Sequence, residues 1–185
     1  KHYEYFPRIK WFNKQNPKLV VYGMNRHQNA LDFIIVNTNG SNKVLFTEKD
    51  KYYIDIHDNL RYIEKNESFI WTSEKDGFNH IYLKNLNGNE RQITNGEWEI
   101  TKFHGIDHDN NIYYSSNKSG SINSCMYKMN LNDIKGESIA MTKTSGTNNI
   151  SFSKGMKYFK NSYTDHNTPP FITLHRSVDG EIIQL

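Results

Sequence analysis

Apolar and polar residues alternate along this chain in short stretches, and residues that favour turns separate the stretches. Residues 98–103 contain such an alternation, with a period close to two. That period places apolar side chains on one face of a β-strand. Glycine, asparagine and aspartate between the stretches supply the backbone conformations that tight hairpins need. No stretch shows the 3.6-residue period of a helix, so the sequence predicts an all-β protein of short strands.

A repeat of roughly 45 residues runs through the whole chain, and repeats of this length decide the fold class. Its clearest markers are Thr47, Thr94 and Thr142, which end short strand-like runs and lie 47 and 48 residues apart. A turn that contains glycine precedes each run. These turns are at residues 39–40, 87–88 and 135–136, and a fourth, at 179–180, precedes Ile182 and Leu185.

Each repeat predicts four strands, the last of which ends near the marker residue. The opening strands are predicted at residues 6–12, 53–57, 98–104 and 148–152. The second strands are predicted at 19–22, 69–72, 112–115 and 157–159, and the third at 31–36, 80–83, 125–129 and 171–174. A β-sandwich also has regular strands, but it gives no reason for matched turns at every fourth strand. We therefore predict four β-propeller blades, at approximately 4–48, 52–95, 97–143 and 147–185.

Charge and composition exclude several classes of function. The formal net charge is +3 and the charged residues are scattered, so no basic stripe predicts nucleic-acid binding. No run of 18 apolar residues predicts a membrane span. Cys125 is the single cysteine, which excludes an internal disulfide, and its strand-like setting favours a buried core position.

The chain lacks the common catalytic and cofactor motifs. It contains no Gly-x-Ser-x-Gly elbow, no P-loop, no dinucleotide glycine pattern and no His-Glu-x-x-His pair. His104 and His108 are predicted in a strand and its following turn, so we predict no metal site and no cofactor. Glu97 and Glu99 are expected to share one strand face and to lie in solvent. Residues 106–111 are interpreted as a polar hairpin turn.

Large aromatic residues recur at matched strand positions of the repeat. Examples are Tyr22, Trp71 and Tyr114. Aromatic side chains bury large apolar areas, and in a propeller they more often pack one blade on the next than bind a ligand. We interpret these three residues as contacts between blades.

Several stretches resemble the propeller of the dipeptidyl peptidase IV family, within the prolyl oligopeptidase class of serine peptidases. Residues 71–82, W-T-S-E-K-D-G-F-N-H-I-Y, resemble the family's S-E-x-D-G-[YF]-x-H-[IL]-Y segment. Residues 93–100, I-T-N-G-E-W-E-I, are similar to its L-T-x-G-x-W-[ED]-V segment. Residues 25–29, N-R-H-Q-N, resemble the N-R-x-Q-N turn of an earlier blade, and residues 151–153 match the last blade. The order agrees over nearly the whole chain.

The resemblance implies that the four blades are the second half of an eight-bladed ring. The family's catalytic Ser, Asp and His lie in an α/β-hydrolase domain, and its substrate-binding glutamates lie in a D-W-x-x-E-E context; this sequence contains neither. The resemblance therefore implies no catalytic residue here. It places residues 52–57 near positions that extend the substrate site, so Tyr53, Asp55 and His57 are candidate substrate-proximal residues. The alternative for this segment is an ordinary inner strand.

For the parent protein, the resemblance implies a bacterial serine exopeptidase that removes N-terminal dipeptides with proline or alanine second. Its expected partners are a peptide with a free N-terminus and the hydrolase domain of the same chain, and the propeller would restrict access to the catalytic serine. The expected location is the periplasm or cell envelope. The alternative is a non-enzymatic propeller that acts as a binding or scaffold module in the cell envelope.

A half ring of blades would also have two uncovered ends. Each end blade would expose apolar surface that a neighbouring blade covers in a complete ring. We therefore expect the chain to self-associate, with two copies completing a ring.

Overall fold

The computed structural model describes residues 2–12, 17–133 and 136–184. Within these ranges the strands form four antiparallel sheets of four strands each, and the chain passes from each strand to its neighbour in the sheet. The predicted all-β class with four propeller-type blades is confirmed. A single turn of 3-10 helix, Glu64–Asn66, is the one helical element in the described ranges. No described helix is long and apolar enough to cross a membrane.

The strand bounds follow the predicted repeat. Sheet 1 contains β1 (Ile9–Phe12), β2 (Lys18–Met24), β3 (Ala30–Val36) and β4 (Asn42–Lys49). Sheet 2 contains β5 (Arg61–Ile63), β6 (Ser68–Ser73), β7 (His80–Asn85) and β8 (Glu90–Gln92). Sheet 3 contains β9 (Ile100–Ile106), β10 (Asn111–Ser116), β11 (Cys125–Asn130) and β12 (Ile139–Ala140). Sheet 4 contains β13 (Thr147–Phe152), β14 (Tyr158–Asp165), β15 (Thr168–Arg176) and β16 (Ile182–Gln184). The predicted turn residue Lys135 and strand residue Leu185 lie outside the described ranges.

The chain divides into two compact units. The first runs to Lys75 and includes Tyr82–Arg91, and the second comprises Asp76–Ile81 and the chain from Gln92 onward. In the first unit, aromatic side chains of sheets 1 and 2 meet edge to face. The Tyr22 ring lies 6.1 Å from the Trp71 ring, and the Phe33 ring lies 4.6 Å from it. The prediction that Tyr22 and Trp71 pack one blade on the next is confirmed.

The second unit has its own apolar cluster. Met126, Met141, Ile150 and Phe159 are buried together, on strands or strand ends of sheets 3 and 4. Cys125 is also buried, as predicted, so the only thiol of the chain is a core residue rather than an exposed nucleophile.

The marker threonines hold the third and fourth strands of their sheets together through side chains. The Thr94 hydroxyl accepts the backbone N–H of Ile81 at 2.9 Å and lies 3.1 Å from His80 Nδ1. In sheet 3 the Thr142 hydroxyl accepts the N–H of Met126 at 3.0 Å. The fourth strands of sheets 2 and 3, β8 and β12, have only three and two residues. The Thr94 and Thr142 hydroxyls each add a hydrogen bond to the third strand beyond the end of these short strands. The third marker differs, because Thr47 lies within β4 and its hydroxyl donates to the Asp32 carboxylate at 2.5 Å.

The opening strand of sheet 2 differs from the prediction. Residues 53–57 form no strand, and β5 at Arg61–Ile63 pairs with β6 instead. A strand would place Tyr53 and His57 on the same face, yet Tyr53 is 55% exposed whereas the His57 ring stacks on Trp71 at 4.0 Å. The alternation of the sequence was therefore a misleading signal in this segment. Two further opening strands begin later than predicted, at Ile9 rather than residue 6 and at Ile100 rather than residue 98.

Two half-buried histidines, His57 and His104, are held neutral. His57 accepts the N–H of Asn59 on Nδ1 at 3.3 Å, so its proton lies on Nε2, 3.1 Å from the Thr72 carbonyl oxygen. Burial lowers the pKa of His57 to about 4. His104, whose Nε2 lies 2.8 Å from the Ser115 hydroxyl, has its pKa lowered to about 4, chiefly by burial.

We expect Thr94→Val to lower the free energy of unfolding by about 2 kcal/mol, because the Ile81 N–H and His80 lose a buried partner. Thr101→Val, on the exposed face of β9, is the matched control and should change it by less than about 0.5 kcal/mol. Urea unfolding measures both. Equal effects of the two substitutions would contradict the anchoring role.

Stability should fall as the pH drops from about 6.5 toward 4. The unfolded chain protonates its histidines near pH 6.5, whereas folded His57 and His104 resist protonation until about pH 4. The stabilisation is therefore complete above pH 6.5 and is lost below it, by about 2 kcal/mol per histidine between pH 7 and 5. Between pH 7 and 5, urea unfolding should show that His57→Gln loses less free energy of unfolding than the wild type. The control variant, His108→Gln, should lose as much as the wild type. Parallel pH profiles for wild type and His57→Gln would rule the explanation out.

Candidate functional site

The connection between sheets 1 and 2, residues 50–60, is built as an ordered loop; we call it the crossing segment. The Asp50 carboxylate accepts the backbone N–H groups of Tyr52 at 2.6 Å and Tyr53 at 3.0 Å. These bonds lower the pKa of Asp50 below its ordinary value. The carboxylate thus fixes the backbone from which the two tyrosines project.

The crossing segment rests on the turn between β2 and β3. Asp50 donates its N–H to the Asn29 carbonyl at 3.1 Å, and Ile54 donates to the Gln28 carbonyl at 2.9 Å. The Asn25 side chain holds that turn by accepting the N–H groups of Asn29 and Ala30, both at 3.1 Å. The N-R-H-Q-N motif at residues 25–29 therefore has a structural role: it is the support for the crossing segment.

Two tyrosines are displayed at the surface of this support; we call Tyr52 and Tyr53 the tyrosine platform. Tyr52 is 76% exposed and Tyr53 is 55% exposed, while the next residue, Ile54, is buried. The Lys51 ammonium lies 4.9 Å from the centre of the Tyr52 ring. An anchored backbone with two exposed rings loses little freedom when a ligand packs on it, so the arrangement is suited to binding.

The three substrate-proximal candidates from the sequence have different environments. Tyr53 belongs to the platform and Asp55 is exposed beside it in the chain. His57 instead packs on Trp71, and its lowered pKa and engaged nitrogens make it a packing residue. Sequence reasoning overlooked Tyr52, the more exposed of the two rings, because the segment was interpreted as a strand with alternating faces.

The acidic pair has a different setting from the one predicted. Glu97 and Glu99 precede β9, which begins at Ile100, so they do not share a strand face; both are exposed, as expected. Trp98 between them packs edge-on against His80, with ring centres 4.9 Å apart. His80 also lies 3.0 Å from the Gly96 carbonyl through Nε2. This stretch is therefore part of the framework of the second unit.

A cavity of about 260 Å³ opens in the second unit beside the turn between β9 and β10. Asp107 lines it and accepts hydrogen bonds from the Asn111 backbone and the Tyr113 hydroxyl, each at 2.9 Å. Although burial raises the pKa of Asp107, these bonds outweigh it and lower the pKa below its ordinary value. Lys128, on the same wall, donates to the Val178 carbonyl at 2.9 Å. The predicted polar turn is thus confirmed, and its charged groups have structural partners.

The predicted absence of a metal site concerns clusters of potential ligands, and the described ranges were searched for them. They contain no group of three or more His, Cys, Asp or Glu side chains arranged to hold an ion. His104 is half-buried on β9, whereas His108 is exposed in the turn that follows, with Nε2 3.3 Å from an Asp109 carboxylate oxygen.

Comparison with known proteins gives a consistent result. The model of the dipeptidyl peptidase IV (DPP IV) N-terminal region matches residues 1–170. A dipeptidyl peptidase 4 of Arthroderma otae is 24% identical over 168 residues, and a probable dipeptidyl peptidase 4 of Aspergillus flavus is 22% identical over 171 residues. The crystal structure of Porphyromonas gingivalis dipeptidyl peptidase 4 superposes with a TM-score of 0.86 at 30% identity and covers 97% of the chain.

These relatives are much longer than the chain. The matches cover 87% of the chain but 22% of the two fungal proteins, and 26% of the Porphyromonas gingivalis protein. The matched part is an N-terminal region made of propeller blades, in agreement with the four sheets. The chain belongs to the dipeptidyl peptidase IV family, as part of its N-terminal propeller region.

Proposed function

We propose that this chain is the non-catalytic propeller region of a serine exopeptidase that removes N-terminal dipeptides with proline or alanine at the second position. In this proposal a hydrolase domain of the same longer polypeptide carries the catalytic serine. The propeller restricts access, so that short or unstructured chain ends reach that serine. The proposed location is the periplasm or cell envelope of a bacterium.

Family membership is the observation that carries the proposal. The relatives that match over 87% of the chain are named dipeptidyl peptidases. The sequence itself contains no Gly-x-Ser-x-Gly elbow. The chemistry is therefore assigned to another part of the polypeptide, and positioning of the substrate is assigned to this part.

The tyrosine platform is the proposed contact with the substrate. An exposed phenol ring offers an apolar face on which a proline or alanine side chain can pack, and its hydroxyl offers a hydrogen bond. The fixed backbone between Asp50 and Ile54 keeps both rings in place before binding. The exposed Asp55 carboxylate, two residues further on, adds a negative charge that attracts a positively charged N-terminus.

We expect the parent protein to release dipeptides from a Gly-Pro chromogenic substrate, and Tyr53→Ala to raise KM about tenfold with kcat unchanged. The ring is proposed to bind substrate and transition state equally, and about 1.4 kcal/mol of lost binding corresponds to a factor of ten. Steady-state kinetics with and without the substitution measure the effect.

Tyr158→Ala provides the control, because Tyr158 is a similarly exposed tyrosine, at 44%, on β14 of the second unit. It should leave both constants unchanged. A parent protein that cleaves no dipeptide substrate would disprove the proposed activity. An active parent in which Tyr53→Ala and Tyr158→Ala behave alike would retain the activity and reject the platform.

A further inference from the structure

Three cationic side chains converge on Asp58, which lies in the crossing segment; we call Arg8, Lys10, Asp58 and Arg61 the Asp58 cluster. The Lys10 ammonium and the Arg61 guanidinium both donate to the Asp58 backbone carbonyl, the guanidinium at 2.6 Å. The Asp58 carboxylate lies 3.4 Å from Arg8 Nε and 3.4 Å from Lys10 Nζ. The strongest bonds of this type are about 2.7–2.9 Å long, so this carboxylate is a loose partner for both cations.

Positive charge is in excess in the Asp58 cluster. It contains three cations and one carboxylate, and Asp55, which acts on the same neighbourhood, supplies a second carboxylate. The pKa of Lys10 is lowered below its ordinary value, chiefly by burial and further by Arg61, although Asp58 raises it. A lysine whose charge is fully compensated by carboxylates has its pKa raised instead. One positive charge therefore remains without a matching carboxylate.

A buried hydroxyl beside the Asp58 cluster lacks a hydrogen-bond partner. Tyr22 packs toward Trp71 and is 0% exposed, and its hydroxyl bonds to no residue that the structure describes. The pKa of Tyr22 is raised, chiefly by burial; Asp58 raises it further, whereas Arg61 and Arg8 lower it. The hydroxyl thus lies within reach of these charges. A bound anion, or a water molecule that links the anion to the hydroxyl, would supply the missing acceptor.

The Asp58 cluster is accessible and lies at the same end of sheet 1 as the tyrosine platform. The side chains of Arg8 and Asp58 are 43% and 64% exposed. The Arg8 carbonyl accepts the N–H of Tyr22 at 3.0 Å, close to the end of β2 and to the turn that supports the crossing segment. Five residues along the chain join Tyr53 to Asp58, so their backbones are at most about 18 Å apart. An extended peptide of about six residues spans that distance.

We propose that the Asp58 cluster binds an acidic side chain of the peptide substrate, and so favours peptides with glutamate or aspartate near the residue that contacts the tyrosine platform. That the ligand is a peptide rests on the proposed function. Arg8 is the cation that pairs with the incoming carboxylate. Lys10 and Arg61 hold the Asp58 carbonyl, whereas Arg8 donates Nη1–H to the Pro7 carbonyl at 2.8 Å and has further donors on its planar guanidinium. Because exposed ion pairs are weak, the preference is modest, about threefold.

Binding can be measured on the 185-residue chain itself, without any catalysis. The probe is the capped dipeptide acetyl-Ala-Glu-amide, followed by the backbone amide shifts in proton–nitrogen NMR spectra. It should bind about threefold more tightly than acetyl-Ala-Gln-amide, which has the same shape without the charge. The largest shifts should fall on the Asp58 cluster.

Two substitutions should change this binding in opposite directions. Arg8→Gln removes a cation and should weaken binding of the glutamate dipeptide about threefold. Asp58→Asn removes the competing carboxylate but keeps the backbone carbonyl, and should strengthen binding by about the same factor. Lys65→Gln is the matched control, because it removes one exposed positive charge of the same unit, beyond the far end of β5; it should leave binding unchanged. Circular dichroism with urea unfolding checks that each variant is folded.

Three results would overturn the proposal. The first is equal affinity for the glutamate and glutamine dipeptides. The second is an equal effect of Arg8→Gln and Lys65→Gln, or weaker binding to Asp58→Asn. The third is acetate that binds as tightly as the glutamate dipeptide, which would assign the Asp58 cluster to free anions rather than to a peptide.

Kinetics of the longer parent protein separate this inference from the proposed function. The parent should cleave Gly-Pro-Ala-Glu-amide with kcat/KM about threefold above that for Gly-Pro-Ala-Gln-amide, and Arg8→Gln should remove the difference. A parent that cleaves neither peptide would reject the proposed activity, and the NMR titration would still decide whether the Asp58 cluster binds an acidic side chain. Equal cleavage of both peptides would reject the substrate preference and keep the activity.

Discussion

Every four-stranded sheet in this protein has two faces, and an apolar face must be covered; the remaining structure follows from how each face is covered. In the first unit, Tyr22 and Phe33 of sheet 1 close on Trp71 of sheet 2. In the second unit, Met126, Ile150 and Phe159 form the corresponding cluster. The crossing segment takes part in the first cluster through Ile54 and Leu60, and it still presents Tyr52 and Tyr53 at the surface.

Sequence alone could predict the repeat because its markers are local. A threonine that bonds to the neighbouring strand and a glycine turn before it leave a period in the sequence that does not depend on distant contacts. The prediction of a strand at residues 53–57 was wrong because an alternation of apolar and polar residues does not show whether a partner strand is present. The true strand, Arg61–Ile63, is three residues long and is defined by its pairing with β6. Nothing in its sequence distinguishes it from a loop.

At the candidate site, too, local sequence features could be predicted whereas features set by tertiary contacts could not. Resemblance pointed to the crossing segment as the candidate, and Tyr53 lies at its surface, but exposure is a tertiary property. The His57 ring stacks on Trp71 and is half-buried, while the Asp50 carboxylate fixes the backbone at Tyr52, whose ring is exposed. The proposed account is of a support that positions the substrate. Burial keeps His57 and His104 neutral, the single thiol lies in the core, and the exposed residues of the crossing segment are placed to make contacts.

The central proposal is that the catalytic chemistry lies in another part of the longer polypeptide, and one measurement tests it most directly. The purified 185-residue chain should release no chromophore from a Gly-Pro p-nitroanilide substrate, while a longer protein that contains it should release chromophore and lose that activity on treatment with a serine-directed phosphonylating reagent. Hydrolysis by the chain alone, sensitive to the same reagent, would contradict the account.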